Sequence, residues 1–344
     1  MARKRMKYVG LALAGLLFLA SCRSAKPPEA APGEPDPELS RSMAGHYRLW
    51  SERELDLGGG NFVVYHYLVR SPDGILAADT PLLVFLDGSG YQSVLGVQSD
   101  EQWILPGPAY GFGKDLFPAY DLMIPEKPNV IPGADPQGAM AAWELSAMED
   151  RVQSAVAAID AFLEEFPHEA VFLYGVSEGG VILPQVYHAL ENRDAIDRIV
   201  LWGSGGMSQL EEFRILGQRE ELPESEAGEY CRVEAVAEEI RRDPDSIEKT
   251  YFGLPYRRWS GFLFYSPLND LLAIRIPILL IHGALDLSSP VESARKVASA
   301  SEDRGRGNLT YWEYETMGHG PGSAEEQEIV YARLRGWLER PGGG

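Results

Sequence analysis

Short apolar runs that stop at glycine punctuate this chain. Pro81-Leu82-Leu83-Val84-Phe85-Leu86 runs into Asp87-Gly88-Ser89-Gly90. Ala170-Val171-Phe172-Leu173-Tyr174 runs into Gly175-Val176-Ser177-Glu178-Gly179-Gly180. Ile196 to Trp202 ends at Gly203-Ser204-Gly205-Gly206, and Ile276-Pro277-Ile278-Leu279-Leu280-Ile281 ends at His282-Gly283-Ala284-Leu285-Asp286. Runs this short, rich in branched residues and closed by turn residues, predict buried parallel strands. Leu309-Thr310-Tyr311-Trp312-Glu313-Tyr314-Glu315 alternates and is β-prone. It leads to Thr316-Met317-Gly318-His319-Gly320. Tyr120 to Pro128 predicts a further strand, with a proline-rich loop to about Gln137.

Helical spacing fills the intervals. From Ala139 to Phe166 the apolar residues Trp143, Leu145, Met148, Val152, Val156, Ile159 and Leu163 recur at that spacing. A helix follows Ser177 to about Glu191, with Pro184 inside it, where proline removes a backbone hydrogen bond. Further helices fall near Pro290 to Ala300 and Ser323 to Leu338. His46 to Asp56 and Phe62 to Arg70 alternate like two strands, joined by the hairpin signal Gly58-Gly59-Gly60-Asn61. Strands alternating with helices predict a mostly parallel sheet flanked by helices. The rhythm breaks between about Met207 and Asn269. That stretch is acidic, reads as helical and carries Tyr251, Phe252, Tyr256, Trp259, Phe262, Phe264 and Tyr265. No internal repeat is visible, and 344 residues suit one large α/β domain with an insertion.

In a parallel sheet all carboxyl ends share one edge, where open α/β sheets place their sites. Ser177, Asp286 and His319 each follow a predicted strand, so the three can converge there. Gly175-Val176-Ser177-Glu178-Gly179 spells G-x-S-x-G, a sharp strand-to-helix turn that leaves little room beside the serine. A serine hydroxyl becomes a nucleophile only when a base takes its proton. His319 is the candidate base, and Asp286 the group that holds its tautomer and stabilises its charge. An oxyanion formed during attack needs preorganised N–H donors. Plainer readings stand beside these. His282 lies inside the glycine turn before Asp286 and reads as structural, and Asp87 reads as a loop-stabilising carboxylate. Glu178 is the kind of acidic residue favoured in a first helical turn. His46, His66, His168 and His188 sit in strand or helix contexts and read as structural or exposed.

The chain order Ser177, Asp286, His319 is that of the α/β-hydrolases, and residues 46 to 340 resemble that family. The resemblance implies an α/β-hydrolase fold over residues 45–340, with a helical cap inserted at about 207–269. It implies one oxyanion donor from the backbone of Glu178. The second would come from the loop after the first parallel strand, with the N–H of Ser89 expected and Gly90 the near alternative. That loop is similar to the family's His-Gly-x-Gly type, with Asp87 in place of histidine. The cap aromatics either shape an acyl pocket or bind the cap to the core, and the sequence leaves both open. The activity implied is hydrolysis of an ester, thioester or amide through an acyl-serine, a carboxylesterase first. A peptidase of the same fold, or a catalytically idle fold acting as an envelope binding protein, are the alternatives.

The chain's first residues bear on location. Arg3, Lys4, Arg5 and Lys7 precede an apolar run from Tyr8 to Leu19, and then comes Leu19-Ala20-Ser21-Cys22. A charged start, a short apolar run and small residues form a secretory signal. The run is short for a membrane span. The Leu-Ala-Ser-Cys ending resembles the lipobox of bacterial lipoproteins, which implies a signal peptide over 1–21 and lipid on Cys22. Arg23 rather than aspartate follows the cysteine, which by the rules of enteric-type bacteria implies the outer membrane. Residues 22–44 are rich in Pro, Ala, Glu and Ser and read as a disordered tether. The formal charge is −20, and loss of 1–21 removes four basic residues and no acid. Such acidity argues against nucleic acid as a partner. With Cys22 lipidated, only Cys231 remains, so no internal disulfide is expected. No H-E-x-x-H cluster or phosphate loop is present, and neither metal nor cofactor is expected; a small acyl substrate is.

Overall fold

The computed structural model describes residues 36–70, 79–99, 102–132, 142, 146–221 and 224–340. The expected signal peptide, Cys22 and the tether up to residue 35 lie outside the described residues. Eight strands form one sheet in the order β1-β2-β6-β3-β7-β8-β11-β12. They are β1 (Ser51–Gly58), β2 (Asn61–Leu68), β3 (Leu82–Leu86), β6 (Asp121–Pro125), β7 (Val171–Val176), β8 (Ile196–Trp202), β11 (Ile278–Gly283) and β12 (Leu309–Tyr314). β1 and β2 pair antiparallel, as do β2 and β6. From β6 to β12 every neighbour is parallel. Strand order runs outward in both directions from β3 and β7, so their carboxyl ends lie at a switch point.

The buried strands supply two apolar faces because alternate side chains point opposite ways. Leu82, Val84 and Leu86 pack on one face with the helices Met148–Glu165 and Glu178–Ala189. Leu83 and Phe85 pack on the other, with the C-terminal helix Ala324–Leu338. Helix Glu178–Ala189 continues through Pro184. The proline costs one helical hydrogen bond, but Ile182, Leu183, Val186 and Tyr187 are buried around it and keep the helix in place.

Two expectations at the N-terminus are corrected. Residues Pro37–Tyr47 of the expected tether and first strand form a helix. Asp36 caps it, its carboxylate accepting from the Glu38 and Leu39 amides, and Pro37 takes the first turn, where a missing N–H is harmless. Met43 is fully buried, and Tyr47 packs 4.5 Å from the Trp103 ring. β1 therefore starts at Ser51 rather than His46. A hairpin of β4 (Gly96–Ser99) and β5 (Gln102–Pro106), which the sequence reading passed over, carries Trp103.

Between β8 and β11 lie the helices Gln209–Leu216, Glu224–Cys231, Val233–Arg242, Tyr256–Phe262 and Leu268–Ala273, with the two-residue strands β9 (Thr250–Tyr251) and β10 (Leu254–Pro255). Leu210, Phe213, Leu216, Tyr230, Val233, Val236, Ile240, Tyr251, Tyr256 and Trp259 form a core of their own there. Helix Tyr256–Phe262 seats this unit on the start of helix Met148–Glu165. A Cβ at Gly261 would fall 2.7 Å from Met148 Cβ.

Candidate active site

The turn after β7 is tight. Ser177 stands at φ 54°, ψ −120°, between β7 and helix Glu178–Ala189. A non-glycine residue with positive φ is under strain that the surroundings must hold. They do so through the Ser177 amide, which donates to the Trp202 carbonyl at 2.8 Å, and the Val181 amide, which donates to the Ser177 carbonyl at 3.0 Å. The motif's second glycine is forced by a close approach: a Cβ at Gly179 would lie 2.1 Å from the Leu86 carbonyl oxygen.

Asp286 and His319 meet directly. His319 Nδ1 is 2.7 Å from Asp286 Oδ2, and both side chains are buried. A carboxylate accepts, so Nδ1 carries the proton and, in the neutral ring, Nε2 keeps its lone pair. The other carboxylate oxygen accepts from the Ser288 and Ser289 amides at 2.7 and 3.0 Å. Burial pushes the Asp286 carboxyl up, but the His319 ring, its hydrogen bond, His282 and the Ser289 amide outweigh it and hold the group below its ordinary value. His282 is fully buried and Nε2 donates to the Ser289 carbonyl at 2.9 Å, bracing the Asp286 loop. Burial lowers its own proton affinity.

Trp202 and Gly203 link the pair to Ser177. Trp202 accepts from the Ser177 amide, and its Nε1 donates to the His319 carbonyl at 3.2 Å. Gly203 has φ 61°, and a Cβ there would fall 2.9 Å from His319 Cε1. Ser177 and the Asp286–His319 pair thus both touch one dipeptide, Trp202–Gly203, at the carboxyl end of β8.

The loop after β3 runs over Ser177: a Cβ at Gly88 would lie 3.3 Å from Ser177 Cβ. Ser89 follows, half-buried, and Gly90 adopts φ 109°. The Asp87 carboxylate accepts from Lys127 Nζ at 2.8 Å, and Lys127 is buried. The Glu178 amide opens a helix, where no preceding carbonyl is in register to accept it. Its side chain is buried rather than solvated, and it accepts from Arg151 Nε at 3.1 Å and from Arg258 Nη2. Burial lowers the proton affinity of the Arg258 guanidinium, with Glu178 opposing that. Glu212 is also buried, accepting from Ser289 Oγ at 3.3 Å, and desolvation pushes its carboxyl up to about 8.

Sequence reasoning missed Arg151, Arg258, Glu212 and Lys127. One signal was present. Met148, Arg151, Ala155, Ala158 and Phe162 share one buried stripe at helical spacing, so Arg151 is a charge on an apolar face. Arg258 stands four residues before buried Phe262, and Glu212 four before buried Leu216. The remaining histidines are engaged elsewhere: His66 with Glu126 at 3.1 Å, His168 with Asp121 at 3.2 Å, His188 with the Asp270 carbonyl at 2.9 Å, and His46 with Trp50 Nε1 at 3.2 Å. Of the cap aromatics, Tyr251, Tyr256 and Trp259 form the insertion's own core and Phe262 packs into the main core. Phe252 and Phe264 lie half-buried against that insertion core, as do Tyr91 of the β3 loop and Leu287 of the Asp286 loop. Among the described residues no group of three or more His, Cys, Asp or Glu is placed to hold a metal ion, and no helix is long and apolar enough to cross a membrane.

No family model and no curated protein matches the sequence. Solved structures do match in shape. An acylaminoacyl peptidase of Pyrococcus horikoshii is similar at TM-score 0.55 and 16% identity, over 85% of this chain and 42% of that one. An esterase of Pyrococcus furiosus is similar at TM-score 0.53 and 14% identity, over 93% of this chain and 99% of that one. The mouse α/β hydrolase domain-containing protein 10 is similar at TM-score 0.51 and 13% identity, over 84% and 98%. This chain spans under half the length of the peptidase. At such identities the likeness concerns the fold, and with the strand order above it shows that the chain has the α/β-hydrolase fold.

Proposed function

We propose that the chain is a serine hydrolase of the carboxylesterase type. The observation that carries this reading is the buried Asp286–His319 contact at 2.7 Å, tied through Trp202–Gly203 to a strained Ser177. A strained turn persists only where the surroundings hold it, and such strain clusters at active sites. In the reaction, Ser177 Oγ attacks the acyl carbon while His319 Nε2 takes its proton. The carbonyl π electrons move to oxygen, and the amides of Glu178 and the 88–90 loop stabilise that charge. His319 then protonates the leaving alcohol as its bond to carbon breaks, which leaves an acyl-Ser177. Water repeats the sequence in place of Ser177 and releases the acid. Asp286 stays ionised throughout and stabilises the imidazolium. We place the enzyme in the bacterial envelope, anchored by lipid on Cys22, on the strength of the Leu19-Ala20-Ser21-Cys22 sequence.

A fluorophosphonate probe tests the chemistry on purified parent, Ser177→Ala and His319→Ala. Strong labelling of the parent and none of Ser177→Ala is expected, with kcat for a short nitrophenyl ester down by on the order of a million-fold. Equal labelling of all three overturns the reading, and an unreactive parent leaves an idle fold. Preference for aminoacyl amides over nitrophenyl esters of any acyl length overturns the esterase assignment in favour of a peptidase.

A further inference from the structure

Glu178 enters the site twice. Its amide is one proposed oxyanion donor, and its side chain anchors a buried charge cluster. Arg151 is 4% exposed and belongs to helix Met148–Glu165. Its Nε donates to Glu178 Oε1 at 3.1 Å, and its Nη2 donates to the Asp87 carbonyl at 3.0 Å. Asp87 directly precedes Gly88, Ser89 and Gly90, the segment that carries the other donor. One planar guanidinium therefore spans the two backbone segments on which the oxyanion site depends.

We infer that Arg151 is a positioning residue for the oxyanion hole, clamping the 87–90 loop to the nucleophile turn through Asp87 and Glu178. The inference rests on the serine-hydrolase reading of Ser177. Two amides stabilise an oxyanion only when both aim at one point, and small misplacements near the reacting centre are costly. These two amides come from segments 64 and 27 residues away from Arg151 along the chain. The guanidinium fork is rigid and offers donors in fixed directions, so it sets the spacing of its two acceptors. Its own ridge is held in turn, since the helix that carries it packs Ala155, Ala158 and Phe162 into the main core.

Arg258 extends the clamp to the insertion. Its Nη2 donates to the second oxygen of Glu178, and its Nη1 donates to the Ser146 carbonyl at 3.3 Å. Arg257 beside it lies 3.3 Å from Asp150. The insertion is therefore docked at the helix start that bears Arg151, and it completes the pairing of Glu178. Arg151 and Arg258 pair with Glu178, Lys127 pairs with Asp87, and Arg151 brings one positive charge to this cluster. Replacement by lysine keeps that charge and removes the fork, which separates geometry from field.

The test compares the full chain with Arg151→Lys on a short nitrophenyl ester and on a trifluoromethyl ketone, after both are shown to fold by thermal melting. Ser177 Oγ adds to the ketone carbonyl, its proton passes to His319, and the adduct carries an oxyanion. Arg151→Lys is expected to lose kcat by about 10- to 100-fold with KM nearly unchanged. Its affinity for the ketone should fall by a similar factor. A role in folding alone would lower the melting temperature and leave kcat and ketone affinity in place, and that result overturns the clamp. Where Arg151→Lys does not fold, near-isosteric Glu178→Gln serves, with kcat and ketone affinity again expected to fall together. A parent that neither labels with fluorophosphonate nor turns over ester overturns the hydrolase reading and the clamp with it. An active parent beside an equally active, folded Arg151→Lys overturns the clamp alone.

Discussion

Ser177 shows how far a single residue can be read before the chain is folded. Its glycine neighbours marked a tight turn, but the strain itself, φ 54° on a residue with a Cβ, belongs to the folded state. Strain of this kind costs about 1–3 kcal/mol. Ser177→Gly should therefore melt higher than Ser177→Ala although neither turns over substrate, and equal melting of the two would refute stored strain at this turn. Glu212 makes a second residue-scale prediction. In the unfolded chain its carboxyl loses its proton near the ordinary glutamate value, whereas in the fold desolvation keeps the proton on to about pH 8. The folded state thus binds more protons between about 4.5 and 8, and stability falls as pH rises through that window. Glu212→Gln should match the parent near pH 4.5 and gain on it steadily up to pH 8; a constant difference across this range would contradict the assignment. Asp286 has the opposite sign, with stability lost as pH falls. Asp286 and His319 were legible because each follows a strand signal, an apolar run for Asp286 and an alternating run for His319. Glu212 was not, because its burial depends on which surface its helix meets.

Elements were legible where period and punctuation agreed. β7 and β11 are apolar runs closed by turn residues, β8 is apolar from Ile199 to Trp202, and the structure places all three within a residue or two of the expected bounds. The helix Pro37–Tyr47 was lost to composition. Proline, alanine and glutamate suggested a tether, yet Asp36-Pro37-Glu38 is also a helix start, and the buried Met43 and packed Tyr47 decide between the two. Local signals of similar strength conflict there, and tertiary burial selects one. The docking of helix Tyr256–Phe262 yields a prediction at this scale. With 2.7 Å between a Cβ at Gly261 and that of Met148, Gly261→Val has to push two helices apart. A loss of about 1–3 kcal/mol is expected, with faster amide exchange in 256–262 than in β7. Unchanged exchange there would show that the two helices yield without cost.

At the scale of the whole molecule the sheet brings distant strand ends to one edge, and the insertion adds a second core above it. The proposed envelope location rests on the Leu19-Ala20-Ser21-Cys22 sequence alone. Cys22→Ala should release the protein from the membrane fraction or block its processing, and unchanged lipid labelling would refute the anchor. The sequence by itself determined the parallel strands and most of the helices between them, because alternation and helical period are local properties of the chain. It also determined the candidate nucleophile, base and acid, because each stands directly after a strand whose end is marked by glycine. Only the tertiary structure decided that Pro37–Tyr47 packs as a helix, that Tyr251, Tyr256 and Trp259 serve the insertion's own core, and that Arg151, Glu178 and Arg258 meet. Those pairings join residues 27 and 80 positions apart. A buried charge is tolerated only beside its partner, and no local pattern states which distant residue that partner is.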